Sequence, residues 1–168
     1  LIAVETTAFT GRAAAVLQDR GVENAYTVDK WLGKLQDLFL IKKYSDHKAF
    51  VLIIDEASMI ANGYEIYETK KDNEALLLHE IIYAFLKHIP NENKFIVFVG
   101  DNKQLPPIVH NYSPALDQLY LEGQYKLKGI TFTLEKAHRQ KGRNDINKFA
   151  SHFEFSDAAL ARDLAIPD

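Results

Sequence analysis

The chain has 168 residues, a net charge of −3 and no cysteine, which fits one domain with a sizeable core and excludes disulfides and thiolate metal sites. No apolar run approaches the ~18 residues of a membrane span, and Leu1-Ile2-Ala3-Val4 lacks the basic start and cleavage region of a signal peptide, so the expected compartment is the cytoplasm and no membrane partner is expected. The charge balance gives no global basic field for nucleic acid, so such a role needs a local path.

Leu1–Glu5 reads as a short strand. Thr10 can cap a helix that runs through Ala13-Ala14-Ala15, and Gly21 can close it in a left-handed cap. A helix amino terminus flanked by hydroxyls and Arg12 suits a phosphate, although a plain capped helix is the simpler reading of those residues alone. Thr27 can cap a second helix, Val28 to about Phe39, with Trp31, Leu32, Leu35 and Leu38 on one face. Lys42 to Lys48 reads as a polar connection.

Phe50-Val51-Leu52-Ile53-Ile54 then runs unbroken into Asp55-Glu56. Such a run suits a strand buried on both faces of a parallel sheet. The two carboxylates fall at its carboxyl end, the edge where ligands sit in open α/β sheets. Ser58 either positions the acidic loop or caps the next turn. Ala61-Asn62-Gly63 signals a turn, Tyr64 to Asn73 a surface loop, and Glu74 to Ile89 a helix stopped by Pro90. Phe95–Val99 is a second buried strand, ending in Gly100-Asp101-Asn102-Lys103-Gln104 and two rigidifying prolines, Pro106 and Pro107. Ser113-Pro114 is read as a cap and first-turn proline opening a helix to about Leu121. Ile130–Leu134 reads as a further strand, and Asn144 to Phe155 as a helix with Ile146, Phe149, Ala150 and Phe153 on one stripe.

Strands alternating with helices predict an α/β fold with a mainly parallel sheet. Three strand ends carry polar clusters: Asp55-Glu56, Asp101 with Gln104, and Arg139-Gln140. On one rim these groups fit phosphoanhydride hydrolysis. Asp55 can hold the shell of a Mg²⁺ through water, Glu56 can orient and deprotonate the attacking water, and Gln104 can bond the terminal phosphate or that water. Arg139 can neutralise the phosphoryl group in flight. Asp101 either joins the nucleotide site or organises its own turn through an Asx bond. His110 and His138 read as surface or partly packed residues.

The ordered strings Thr-Ala-Phe-Thr-Gly-Arg-Ala-Ala (7–14), Ile-Ile-Asp-Glu-Ala-Ser-Met (53–59), Val-Gly-Asp-Asn-Lys-Gln-Leu-Pro-Pro (99–107) and Leu-Glu-Lys-Ala-His-Arg-Gln (134–140) resemble motifs Ia, II, III and IV of superfamily 1 DNA helicases. The RecD-like, exodeoxyribonuclease V alpha-subunit type is the most similar group. The resemblance implies a RecA-like P-loop NTPase-type sheet with helices on both faces, incomplete at the amino terminus. Residues 1–156 would form part of the first motor domain, and 157–168 a tail toward a second. It implies ATP and Mg²⁺ as cofactors, with Asp55 and Glu56 as the Walker B pair, Gln104 coupling nucleotide state to DNA, and Arg139 on the γ-phosphate. Phe9, Thr10, Arg12 and Thr27 would lie on a single-stranded DNA path, although many RecD-like sequences carry proline where Phe9 stands.

The implied activity is ATP-driven DNA unwinding in recombination or repair, with other subunits of a helicase–nuclease complex as further partners. No Gly-x-x-x-x-Gly-Lys-Ser/Thr string occurs. In that family the phosphate loop lies upstream, on the strand beside the acidic one. The isolated chain is therefore expected to bind ATP poorly, not to unwind DNA, and to self-associate through the edges a missing middle strand exposes. Two alternatives stay open: an interaction module that keeps the fold without the chemistry, and an RNA-directed relative.

Overall fold

The computed structural model describes residues 1–62, 78–104, 106–107 and 111–134. The chain divides into a unit Leu1–Gly129 and a unit Ile130–Asp168. The first unit is a four-stranded, wholly parallel sheet with helical crossovers: β1 (Ile2–Ala8), α1 (Gly11–Asp19), β2 (Tyr26–Thr27), α2 (Val28–Lys34), α3 (Leu38–Ser45), β3 (Ala49–Asp55), α4 (Leu78–His88), β4 (Lys94–Phe98) and α5 (Gln118–Tyr125). The strand order is β2-β1-β3-β4. Residues of α2, α3 and α4 pack with Phe50, Leu52 and Ile54 on one face of the sheet; the usual right-handed crossover would put α1 on the other. Among the described residues no helix is long and apolar enough to cross a membrane.

Burial alternates along β3, with Phe50, Leu52 and Ile54 fully enclosed and Val51, Ile53 and Asp55 half-buried. The enclosed face packs into one core with Trp31 of α2 and Ile81, Ile82 and Phe85 of α4. The opposite face is only partly covered: Val4, Val51 and Phe95 share one row and Thr6, Ile53 and Val97 the next. Val4 and Phe95 are largely exposed there. The acidic strand already has a neighbour on each side, β1 and β4. A phosphate-loop strand can therefore join only at an outer edge, beside β4 or β2. This corrects the expectation that it stands next to the acidic strand and leaves a gap in the middle of the sheet.

Local signals fix several boundaries. Thr10 Oγ1 accepts from Ala13 N–H at 3.2 Å and starts α1. The helix closes in a Schellman arrangement: Gly21, at φ 94°, and Val22 donate to the carbonyls of Gln18 and Leu17. Lys94 Nζ donates to the carbonyls of Leu86 and Ile89, each at 2.8 Å, and ties the end of α4 to β4.

Other boundaries differ from expectation. The helix predicted over 28–39 is two helices, because Asp37 Oδ1 accepts from Phe39 and Leu40 N–H and caps a new start. That second helix absorbs most of the stretch expected to be a polar connection. Ser113 makes no cap bond. Pro114–Leu116 is one 3₁₀ turn, and Asp117 caps α5 instead, accepting from Tyr120 N–H at 3.0 Å. Ile130–Leu134 is not a strand: apolar alternation alone makes no ladder. The expected loop 64–73 and helix 144–155 lie outside the described residues.

Glu5 sits on the covered face of β1 and joins three elements. Its carboxylate accepts from the hydroxyls of Tyr26 on β2 and, at 2.8 Å, Tyr44 on α3. Burial first, and then the Glu5 bond, push the Tyr44 phenol well above its ordinary value. A raised folded-state value means that this contribution is intact below the unfolded value of 10.0 and is lost as pH rises beyond it. Stability should fall by about 1.4 kcal/mol per pH unit above that point through this group. Denaturant titrations across alkaline pH should show that slope flattened in Tyr44→Phe.

Candidate functional site

β3 delivers Asp55 in register with Ala8 of β1. Beyond that pair, Asp55 C=O accepts from Phe9 N–H at 3.1 Å. On the other side Val99 N–H donates to Ile54 C=O and Val99 C=O accepts from Ala57 N–H, both at 2.8 Å. The acid pair is therefore gripped between the chain leaving β1 and the chain leaving β4, at the carboxyl edge of the sheet. Both acidic residues are half-buried. Asp55 Oδ1 accepts from Glu56 N–H at 3.0 Å, and no bond to Oδ2 is made among the described residues.

Glu56 adopts the left-handed conformation, φ 57° and ψ 35°. For a residue with a long side chain this costs about 1–2 kcal/mol. Such strain persists where the surroundings over-determine it, and it clusters at functional sites. Asn tolerates this conformation far better. Glu56→Asn is expected to raise stability by roughly 1 kcal/mol while removing the long carboxylate, a combination that thermal melts paired with turnover assays would reveal.

Gly100 explains how the next loop comes so close. A Cβ there would lie 2.8 Å from Ser58 N and 2.9 Å from Leu116 Cδ1. The backbone of one polar loop thus packs directly on that of the other. Ser58 is fully buried and its Oγ has no partner among the described residues, while its carbonyl accepts from Ser113 Oγ at 2.9 Å. Ser58 therefore does not cap the following turn with its hydroxyl.

Asp101 is exposed and organises its own turn: Oδ1 accepts from Lys103 N–H at 2.9 Å, and its C=O accepts from Gln104 N–H at 3.0 Å. Gln104 follows on the same loop, also exposed. Among the described residues no side-chain hydrogen bond joins it to the acid pair. Arg139, His110 and His138 lie outside the described residues. Thr10 and Thr27 stand at the same carboxyl edge as Asp55, since Ala8 pairs with Thr27. Both hydroxyls serve as helix caps, Thr27 accepting from Lys30 N–H at 3.3 Å. Phe9 is half-buried and packs against the core, so part of its ring is already covered, while Arg12 is exposed.

Two residues that hold the site together escape a reading of the sequence. Gly100 carries a signal, a glycine directly after an apolar strand, although that strand is not the buried one expected: Phe95 and Val97 are exposed on its outer face. Ser113 carries a misleading signal, because Ser-Pro resembles a helix start.

A family model described as an AAA domain matches residues 2–110, more than half of the chain. No curated protein and no solved structure matches it.

Proposed function

The chain belongs to the AAA domain family, and from that premise we propose that it is part of the motor of an ATP-dependent DNA helicase of the RecD-like kind. The observation that carries this reading is the acid pair at the carboxyl edge, flanked by the ends of β1 and β4 and held by the Gly100 loop.

In this reading Glu56 orients a water and takes its proton as the water oxygen bonds to the terminal phosphorus. The bond to the bridging oxygen breaks, releasing ADP and phosphate. Gln104 bonds the terminal phosphate or the attacking water, Arg139 balances the charge that builds on the phosphoryl oxygens, and Asp101 keeps the Gln104 loop folded. The donor set fits a hydrated Mg²⁺. Among the described residues no three His, Cys, Asp or Glu side chains cluster, and one carboxylate with water and phosphate is an ordinary Mg²⁺ shell. Asp55, whose Oδ2 makes no bond among the described residues, is the residue that would hold it. When bound, the ion would neutralise phosphate charge.

Single-stranded DNA would cross the same edge near Phe9, Thr10, Arg12 and Thr27. Arg12 and the threonine hydroxyls would take phosphates, and the uncovered part of the Phe9 ring would meet a base. ATP hydrolysis by the full-length protein tests the reading. Single-stranded DNA should stimulate turnover more than RNA of the same sequence. Stronger stimulation by RNA would favour an RNA-directed relative. No turnover at all would leave an interaction module that keeps this fold.

A further inference from the structure

We infer that Ser113 is a positioning residue for Glu56, acting through the Ser58 carbonyl; the inference rests on the hydrolytic reading of the acid pair. Glu56 occupies a backbone conformation that its side chain disfavours, and the residue two positions on buries a hydroxyl with no partner among the described residues. Neither feature is locally favourable, so the turn Glu56–Met59 must be held from outside.

Three ties do so. Ala57 N–H is bonded to Val99 C=O, Gly100 packs on Ser58 N, and Ser113 Oγ donates to Ser58 C=O. The first two belong to the chain leaving β4. The third comes from 55 residues beyond Ser58 and is made by a side chain. Ser113 is only 7% exposed, so water does not readily replace it as donor to that carbonyl.

The bond fixes the far end of the turn whose near end is Glu56. Pro114–Leu116, the turn that Ser113 opens, also supplies the Leu116 methyl group that closes over Gly100. The segment after the paired prolines therefore clamps both polar loops at once. A change in that segment would reach Ser58 and Gly100 directly, and through Ser58 the turn that Glu56 opens. Ser113 touches no reacting atom in this scheme; it sets where the Glu56 carboxylate stands.

The test uses the full-length protein with Ser113→Ala and Ser113→Thr. The alanine variant should lose about tenfold or more in kcat, since small misplacements of a catalytic group have large effects. Its KM for ATP should stay within about twofold, and the threonine variant, which keeps the hydroxyl, should recover most of the rate. Amide hydrogen exchange should accelerate about fivefold or more at residues 57–59 in the alanine variant alone, as expected for one lost buried bond. Unchanged kcat overturns the inference, as does a loss that appears in KM, or a loss that Ser113→Thr shares. If the wild-type protein shows no ATP turnover, the hydrolytic reading fails and exchange alone decides. Acceleration confined to 57–59 then upholds the clamp, and its absence overturns it.

Discussion

Glu56→Gln in the full-length protein is expected to reduce ATP turnover by about 10²–10⁴-fold, the range general-base catalysis supplies, with nucleotide affinity changed only a few-fold. The replacement keeps the size of the side chain and its half-buried place after β3, and it leaves Asp55 untouched. What it removes is a group able to accept the proton of the attacking water. Equilibrium binding of a fluorescent nucleotide beside steady-state hydrolysis separates the two effects. Turnover that survives the change takes the role of base away from Glu56. Binding that disappears with turnover means the residue holds the turn together rather than the water. Glu56→Asn, with its opposite effects on stability and turnover, distinguishes a strained catalytic residue from a merely structural one.

Gly100→Ala is expected to destabilise the fold by about 1–3 kcal/mol, the usual result of forcing atoms into a packed site. The added methyl would meet Ser58 N at 2.8 Å and Leu116 Cδ1 at 2.9 Å. The leucine methyl can rotate aside, but the backbone amide cannot move without moving Ser58, and Ser58 is two residues from Glu56. Turnover should therefore fall by more than the loss of folded protein explains. Gly123, inside α5, has nothing within 4 Å of its missing Cβ. Gly123→Ala should stabilise by roughly 0.5–1 kcal/mol through lower chain entropy. Urea unfolding of the two variants side by side separates a glycine required for close approach from one that is not.

The features legible in the sequence are those set by neighbouring residues. Thr10 and Gly21 bound α1 because a hydroxyl three residues from an amide, and a glycine that accepts positive φ, act over a single turn. The apolar run into Asp55 announces a central parallel strand, but only its Phe50-Leu52-Ile54 face is enclosed, and Val51 and Ile53 are half-buried on the other.

Most of what stayed hidden depends on partners distant in the chain; Asp37 is the local exception. Asp37 competes locally to restart a helix, and its cap outweighs the apolar stripe that continues through Leu38. Ser113 has the sequence context of a cap, but its hydroxyl goes to a carbonyl 55 residues earlier. Ile130–Leu134 alternates as a strand does and finds no ladder among the described residues. Sheet order was equally hidden: that β1 and β4 flank the acidic strand follows from crossovers, and no motif encodes it. At the site itself, the residue types and their shared edge were legible, whereas the left-handed Glu56 and the Gly100 contact were not. Both arise where two loops from different strands meet.

The most direct measurement is a crystal structure of the full-length protein with Mg²⁺ and a non-hydrolysable ATP analogue. The terminal phosphate should lie at the carboxyl edge of β3, with a metal-bound water on the Asp55 carboxylate and the Glu56 carboxylate facing the position of in-line attack. A triphosphate bound away from that edge, or an acid pair with no phosphate between it and the Gln104 loop, would contradict the account.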